Sequence, residues 1–384
     1  MRRNHVMKTI LSIAWIVEGQ GGMETVIAQM DKYLTQAGYH FISSFVGFSS
    51  RDRTWENELS DCRIGPLNSL HWKRSAISRM PQIIRWLHRM VAQTRPDIIV
   101  VHDPLSAVLV THVIKSHPLT RNIPIAAYEH GVLSSFPTLS KQLRWAYFHG
   151  FRRVDRIICG GNDFAQALHK IFPKQAITAI GLPINYPAPL VTPSYTPFHL
   201  AFVGRLDNKQ KRIDRLLTAL SLLDPSLSWT CKIVGDGPDR LAAQALAQSL
   251  GIAERLEWMG WQKNPWKILA HTALLIFPSD YEGFSAVMVE APAHGIPILA
   301  TDIDFGPRNI IISGVNGWLV PPTAEAIAAQ LQPILYGTIS CPAPADVAQT
   351  VAAYAAPVVA QNFLSALQQT VNEAPMSKKF ATLS

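Results

Sequence analysis

Short apolar runs alternate with longer segments of helical spacing along nearly the whole chain, and that rhythm admits few architectures. Residues 10–17 read as a strand, 23–37 as a helix and 39–48 as a strand; 97–101, 124–128 and 156–159 follow as buried strands between helical stretches. Runs that are apolar on both faces and separated by helices belong to parallel sheets covered on both sides. The prolines at 183, 187, 189, 193 and 197 are too dense for any element interior and mark the linker between two domains. Beyond them the alternation restarts, with strands at 199–203, 229–234, 256–258, 274–277 and 297–300 and helices at 213–223, 240–250 and about 285–294. The Ala-rich stretch 342–374 reads as terminal helices, and no internal repeat or low-complexity tract appears. A chain of 384 residues has room for two domains, each with its own core.

With 48% apolar and 16% charged residues the chain is globular rather than disordered. No apolar run approaches the roughly 18 residues of a membrane span. Arg2, Arg3 and Lys8 ahead of the run 10–17 imitate a signal peptide. Glu18-Gly19-Gln20-Gly21-Gly22 then offers no cleavage site, so a buried strand entering a glycine loop is expected. Cys62, Cys159, Cys231 and Cys341 form no C-x-x-C pair, which speaks against a disulfide framework or a cysteine-rich zinc site and for a reduced, cytosolic compartment.

The net charge of +8 is unevenly distributed: residues 1–190 carry 22 basic and 12 acidic side chains, while the remainder is slightly acidic. An anionic partner for the N-terminal half is expected. Between residues 71 and 95, Lys73, Arg74, Arg79, Arg85, Arg89 and Arg95 occur without an acidic residue. From Pro81 on, Ile84, Leu87 and Val91 recur at helical spacing beside Trp86 and Met90. Two readings stand: a basic amphipathic helix lying on anionic lipid, or a domain helix with a solvated basic face. Lys141, Arg144, Trp145, Tyr147, Phe148, Arg152 and Arg153 form a second basic and aromatic group. No helix-turn-helix, zinc-finger or RNP-like pattern accompanies the charge, so nucleic acid is not expected.

Ligands of doubly wound sheets bind beyond the carboxyl ends of the strands, so the loops there carry the chemistry. The first, through Gly21 and Gly22, resembles a dinucleotide fingerprint. However, Glu24 stands where a third glycine belongs and no acidic residue closes the second strand, which disfavours a nicotinamide enzyme. A glycine turn admitting a ligand at a helix start remains, as does a purely structural turn. Gly204-Arg205 and Lys211 put a turn beside cations suited to phosphate. The sequence 278–285, Pro-Ser-Asp-Tyr-Glu-Gly-Phe-Ser, precedes a helix carrying Glu290, so 283–286 would present backbone amides at a helix start. If Glu282 and Glu290 share that helix, a rise of about 12 Å separates them, unlike the close carboxylates of a retaining glycosidase. Separate jobs are expected for the two.

Together, Gly-Gly-Met-Glu at 21–24, Val-Gly-Arg-Leu at 203–206 with Lys211, Val-Gly-Asp-Gly-Pro at 234–238, Glu-Gly-Phe at 282–284 with Glu290, and Gly-Ile-Pro at 295–297 resemble the family 4 retaining glycosyltransferases of GT-B fold. The likeness runs in order from about residue 10 to 322. More narrowly, Gly-Gly-Met-Glu-Thr-Val-Ile at 21–27, Met-Gly-Trp-Gln at 259–262 with Pro265-Trp266, and Gly-Pro at 306–307 before Ile310-Ile311 look like the bacterial lipopolysaccharide-core 1,6-galactosyltransferases.

The resemblance implies an α/β protein of two doubly wound Rossmann-like domains facing a central cleft. They are an acceptor-side domain at 1–186 and a nucleotide-sugar domain at 187–345, followed by terminal helices at 346–384, for which packing back on the first is an expectation. It implies a hexosyl, foremost galactosyl, transfer from a UDP-sugar to a lipid-linked oligosaccharide on the inner face of the cytoplasmic membrane. Glucosyl, N-acetylglucosaminyl or mannosyl transfer is the same-fold alternative, and a non-catalytic nucleotide-sugar-binding subunit is the alternative of another class. A pyridoxal-dependent phosphorylase would need a lysine within 278–300, and none is there. By motif position Arg205 and Lys211 bind the diphosphate after Gly204, Glu290 the ribose, and the backbone of Gly283, Phe284 and Ser285 a phosphate. Glu282 faces the donor sugar, Trp261 and Gln262 lie near uracil, His130 lies beside the transferred sugar, and Asp103 is on the acceptor side. No cofactor and no metal are expected: Asp302-Ile303-Asp304 has the look of a metal-binding D-x-D but follows a strand where this family keeps a donor-side loop. Pro292 puts the reach of Glu290 in question, and Asn309 stands where many relatives carry an acidic residue.

Overall fold

β1 (Thr9–Val17) lies at the centre of a parallel sheet because its residues are apolar toward both faces; Ile10, Leu11, Ile13 and Ala14 are fully buried. The structure is a computed structural model that describes residues 7–17, 22–48, 59–68, 78–131, 133, 136 and 139–374. After β1 come α1 (Gly22–Gln36), β2 (His40–Phe48), β3 (Cys62–Asn68), α2 (Met80–Thr94), β4 (Ile98–Val101), α3 (Pro104–Ser116) and β5 (Ile125–Glu129). α4 (Lys141–Phe151), β6 (Arg156–Cys159), α5 (Asn162–Ile171) and β7 (Ala176–Ala179) complete the run. All strand pairs are parallel, in the order β3-β2-β1-β4-β5-β6-β7.

A second unit repeats the plan. β8 (Phe198–Val203), α6 (Ile213–Ser221), β9 (Trp229–Val234), α7 (Arg240–Ser249), β10 (Leu256–Gly260), β11 (Leu274–Phe277), α8 (Ala286–Ala293), β12 (Ile298–Thr301), α9 (Pro307–Ile310) and β13 (Gly317–Val320) build a parallel sheet ordered β10-β9-β8-β11-β12-β13. α10 (Ala324–Leu335) and α11 (Pro344–Gln349) follow. One face of the sheet packs Leu216, Leu220, Ile327 and Leu331 against Leu200, Phe202 and Ile233; the other packs Met288 and Val289 against Leu275 and Ile298. Each such fully buried side chain contributes roughly 1.5–3 kcal/mol.

The chain divides after Pro183, and α12 (Ala356–Glu373) belongs to the first unit. The sequence reading set these limits at 186/187 and 345/346. Ile184 shifts the first because it bridges to Ala355 and donates its amide to the Tyr354 carbonyl, inside the second unit. Residues 344–354 stay with that unit because α11 packs on α8. α12 is held by Arg156, a buried guanidinium that donates to Thr370 Oγ1 at 2.8 Å and Glu373 Oε2 at 2.9 Å.

β3, β7 and β13 are absent from the sequence reading, and all three are sheet edges. β7 is half-buried along its whole length and β3 contains Arg63, Gly65 and Pro66, so neither reads as a continuous apolar run; β13, Gly-Trp-Leu-Val, is apolar but only four residues long.

In both units the strand order reverses between the first and fourth strands, β1 and β4 in one, β8 and β11 in the other. The loops after these strands flank the crevice where such sheets bind ligands.

Candidate active site

In the second unit the β8 loop (204–212) and the β11 loop (278–285) are neighbours because their strands pair directly. Gly204 lies against the side chain of Lys211, and the floor under it is tight. A Cβ on Gly235, which has φ +136°, would fall 1.8 Å from the Gly204 carbonyl oxygen; only glycine fits there.

Lys211 Nζ donates to Glu282 Oε1 at 2.7 Å and stands 4.8 Å from the centre of the Phe277 ring. The two side chains are 14% and 6% exposed, so this is a largely buried ion pair. Arg205 behaves differently: its side chain is 60% exposed, with Nη2 3.2 Å from Gln210 Oε1 and 3.5 Å from Asp207 Oδ2. It is a cation on the surface of the same loop.

The β11 loop is fixed by a clamp. Asp280 accepts from Arg212 Nη1 at 2.8 Å and from Arg215 Nη2 at 2.5 Å, while Arg215 Nη1 donates to the Pro278 carbonyl at 2.7 Å. Arg212 adopts a left-handed conformation, φ 52°, immediately before α6. Such backbone is disfavoured for a side chain with a Cβ. Its guanidinium is held between Asp214 (2.9 Å) and Asp280, and these contacts offset the strain. The backbone closes the join, with the Asp280 amide donating to the Gln210 carbonyl at 2.9 Å.

Glu282 precedes α8, which begins at Ala286, so the two glutamates do not share a helix as the sequence reading allowed. The bulge of Gly283-Phe284-Ser285 intervenes. Gly306, with φ +92°, approaches the Gly283 carbonyl closely enough that a Cβ would lie 2.7 Å from it. Ser285 occupies the N-cap position of α8 without a side-chain cap bond. Glu290 sits inside the helix, and Pro292 falls in its last turn, where it removes a single hydrogen bond and leaves the residues before it helical. Glu290 Oε2 accepts from Trp266 Nε1 at 3.1 Å. Burial raises the Glu290 pKa, and the indole hydrogen bond works against that rise. Trp266 stacks on His294, centroids 5.2 Å apart, and His294 is itself held by the Pro189 carbonyl. Trp261 is 60% exposed, and Gln262 Nε2 donates to the Met259 carbonyl at 2.9 Å.

Asp302 Oδ1 accepts from Arg308 Nε at 2.6 Å, an internal ion pair for one half of the D-x-D sequence. Among the described residues no three His, Cys, Asp or Glu side chains group as metal ligands.

In the first unit Gly22 opens α1, while Gly21 lies outside the described residues. Asp103 is the N-cap of α3: Oδ1 accepts from the Leu105 and Ser106 amides, both at 2.9 Å, and Oδ2 from the Trp15 amide at 2.6 Å. Its carboxylate therefore ties the ends of β1 and α3 together. His130 follows β5. Its Nε2 is 2.9 Å from His102 Nδ1, and its ring lies on Tyr128 with centroids 4.4 Å apart. Desolvation pushes the His130 pKa down to about 3. The preceding Glu129 is buried and shapes the turn by accepting from the Gly131 amide at 2.7 Å and the Leu133 amide at 3.1 Å.

Lys73 and Arg74 of the basic segment lie outside the described residues. α2 buries Ile83, Leu87, Met90 and Val91 within its own unit and turns Arg85 and Arg89 outward. Its apolar stripe is thus consumed by the domain core, and what it shows to solvent is charge. On α4, Lys141, Trp145 and His149 are exposed, with Arg152 and Arg153 just beyond the helix; the Trp145 and His149 rings stack at 4.2 Å. Among the described residues no helix is long and apolar enough to cross a membrane.

The sequence reading named Arg205, Lys211, Glu282 and Glu290, and the fold gathers them in the second unit. It missed the pairing of Arg212 and Arg215 with Asp280, which spans 65 to 68 residues, and Trp266 as the partner of Glu290. In the first unit it missed Ser12 and His102.

Two Rossmann-like parallel sheets, the second with a cation-bearing loop pair and a helix start at its switch point, are the architecture of the GT-B glycosyltransferases. Residues 20–186 match the family described as Glycosyltransferase Family 4 and residues 193–346 that described as Glycosyl transferases group 1, and the chain belongs to these glycosyltransferases. It is 26% identical to the lipopolysaccharide 1,6-galactosyltransferase of Salmonella typhimurium, over 86% of this chain and 91% of that protein. It is 27% identical to the enzyme of the same name from Escherichia coli, over 81% and 85%. Among solved structures it is similar to the lipopolysaccharide outer core galactosyltransferase WaaB in its apo form, with a TM-score of 0.77 at 23% identity over 94% of this chain and 99% of that one. It is also similar to Anabaena Alr3699/HepE in complex with UDP, with a TM-score of 0.76 at 18% identity over 94% and 100%.

Proposed function

We propose that this protein transfers a hexose, galactose foremost, from a UDP-sugar to a lipid-linked oligosaccharide of the lipopolysaccharide-core type, with retention of anomeric configuration and without a metal ion. The observation that carries the reading is the cluster at the second unit's switch point: the Lys211–Glu282 pair, Arg205 beside it, the start of α8, and Glu290 positioned by Trp266. The relatives named as lipopolysaccharide 1,6-galactosyltransferases support the acceptor class and the sugar. The neighbour bound to UDP supports the nucleotide.

The leaving diphosphate gains negative charge as the glycosidic bond breaks. Lys211, Arg205 and the amides at the start of α8 stabilise that charge, the task a metal performs elsewhere. Glu290 accepts from the ribose hydroxyls through the oxygen that does not meet Trp266. Uracil lies by Trp261 and Gln262, Glu282 faces the donor sugar, His130 lies beside the transferred sugar, and Asp103 is on the acceptor side. The outward charge of α2 and the Lys141, Trp145, Arg152 and Arg153 surface suit a peripheral place on an anionic cytoplasmic leaflet.

The test is calorimetric titration of UDP, GDP and ADP into the protein in EDTA, followed by a panel of UDP-sugars with a truncated lipopolysaccharide acceptor. Selective UDP binding and galactosyl transfer are the expected results. Transfer of glucose, N-acetylglucosamine or mannose instead would replace the sugar. UDP binding without turnover would identify a binding subunit, and a strict metal requirement would remove the charge-stabilisation argument.

A further inference from the structure

His102 is the middle member of a buried chain of three polar side chains in the first unit. Ser12 Oγ, on β1, lies 2.8 Å from His102 Nε2, and His102 Nδ1 lies 2.9 Å from His130 Nε2. Ser12 is 1% and His102 4% exposed, so bulk solvent does not reach either. The two imidazole planes are inclined by 24° with centroids 5.2 Å apart, and the Tyr128 ring lies against both, 4.4 Å from His130 and 6.1 Å from His102, its own hydroxyl committed to the Gly181 carbonyl at 3.0 Å. The ring of His130 is therefore fixed in plane and direction.

Three side chains in line admit two proton orders when both rings are neutral. Burial keeps them neutral, since desolvation lowers both pKa values. In the first order Ser12 donates to His102 Nε2, His102 Nδ1–H donates to His130 Nε2, and the free N–H is on His130 Nδ1. In the second, His130 Nε2–H donates to His102 Nδ1 and His102 Nε2–H donates to Ser12 Oγ. The hydroxyl hydrogen of Ser12 must then find another acceptor, and among the described residues Ser12 Oγ has no other partner. A buried donor without an acceptor is costly enough to bias the equilibrium by roughly tenfold or more.

We infer that Ser12 and His102 are positioning residues that hold His130 in the tautomer protonated at Nδ1, so that it offers an N–H to an acceptor oxygen of the donor sugar. The inference rests on the proposed placement of His130 beside that sugar. It gives that site a polarity: His130 meets a lone pair, not a hydroxyl hydrogen. His130 Nδ1 has no partner of its own among the described residues, which leaves it for a ligand. A free neutral imidazole prefers the proton on Nε2, so the chain Ser12–His102 reverses the intrinsic preference of His130.

The experiment is a two-bond proton–nitrogen correlation spectrum of the full-length protein labelled at its histidine side chains, with His130 assigned by the signal lost in His130→Gln. The expected wild-type spectrum shows His130 protonated at Nδ1. Ser12→Ala shifts its population several-fold toward Nε2–H, and Ser12→Thr, which keeps the hydroxyl, restores it. UDP-galactose moves the Nδ1–H signal, whereas UDP alone leaves it in place. A wild-type His130 protonated at Nε2 overturns the relay, and that result stands even if the Ser12 variants do not fold. An Nδ1–H signal that responds equally to UDP and UDP-galactose overturns the sugar contact while leaving nucleotide binding in the second unit intact.

Discussion

Removing either charge of the Lys211–Glu282 pair separates what the pair does for the fold from what it does for chemistry. The contact is 2.7 Å long between side chains 14% and 6% exposed, so solvent screening is weak. Deleting one partner leaves an uncompensated buried charge and costs about 3–5 kcal/mol. Lys211→Met should accordingly lower the unfolding temperature of the second unit by roughly 6–20 °C, at about 2–4 °C per kcal/mol for a domain of this size. Glu282→Gln should act in the same direction. The double variant Lys211→Met/Glu282→Gln removes both charges with little change of volume, and most of the stability should return, so that it is more stable than either single variant and the two single costs are far from additive. Transfer activity should not return, because the cation proposed to meet the leaving diphosphate is gone. Differential scanning calorimetry of the four proteins, with turnover measured on the same samples, makes the comparison. Additive stability effects would show that the pair is not energetically coupled, and an active double variant would remove Lys211 from the chemistry.

Glu290→Gln should keep the Trp266 hydrogen bond but lose the charged acceptor, lowering UDP affinity about 10- to 100-fold in calorimetric titration. An unchanged Kd places the ribose elsewhere. Gly235→Ala would set a Cβ 1.8 Å from the Gly204 oxygen in backbone of φ +136°, so loss of UDP binding together with a destabilisation of several kcal/mol is expected from urea unfolding. A fully stable variant would contradict the close approach. Burial holds His102 and His130 below their ordinary pKa, so the unfolded chain binds protons that the native chain refuses. The His130 contribution is complete above about pH 6.5 and is lost as pH falls toward about 3, at up to roughly 1.4 kcal/mol per pH unit, and that of His102 is lost in the same direction. Asp103, whose pKa burial raises, opposes this loss at acid pH. Stability measured from pH 7 to 5 should fall less steeply in His130→Asn, and an unchanged slope would show that His130 is solvated.

The alternation of apolar runs and helical segments determined two doubly wound units, because a strand covered on both faces is a continuous apolar word that its sequence cannot disguise. β1, β8 and β11 are of that kind. β3 and β7, at the edges, are not. The loops that carry Arg205, Lys211 and Glu282 were legible because they follow central strands, and the Lys211–Glu282 contact joins two of them; Glu290 was named from its motif and lies inside α8. What only the tertiary structure decided are the pairings between distant residues. Asp280 finds Arg212 and Arg215 because β8 and β11 are neighbours; Glu290 finds Trp266; His130 receives its proton order from Ser12 on β1. Hydrogen bonds act within about 3 Å, and strand order alone sets which side chains come that close.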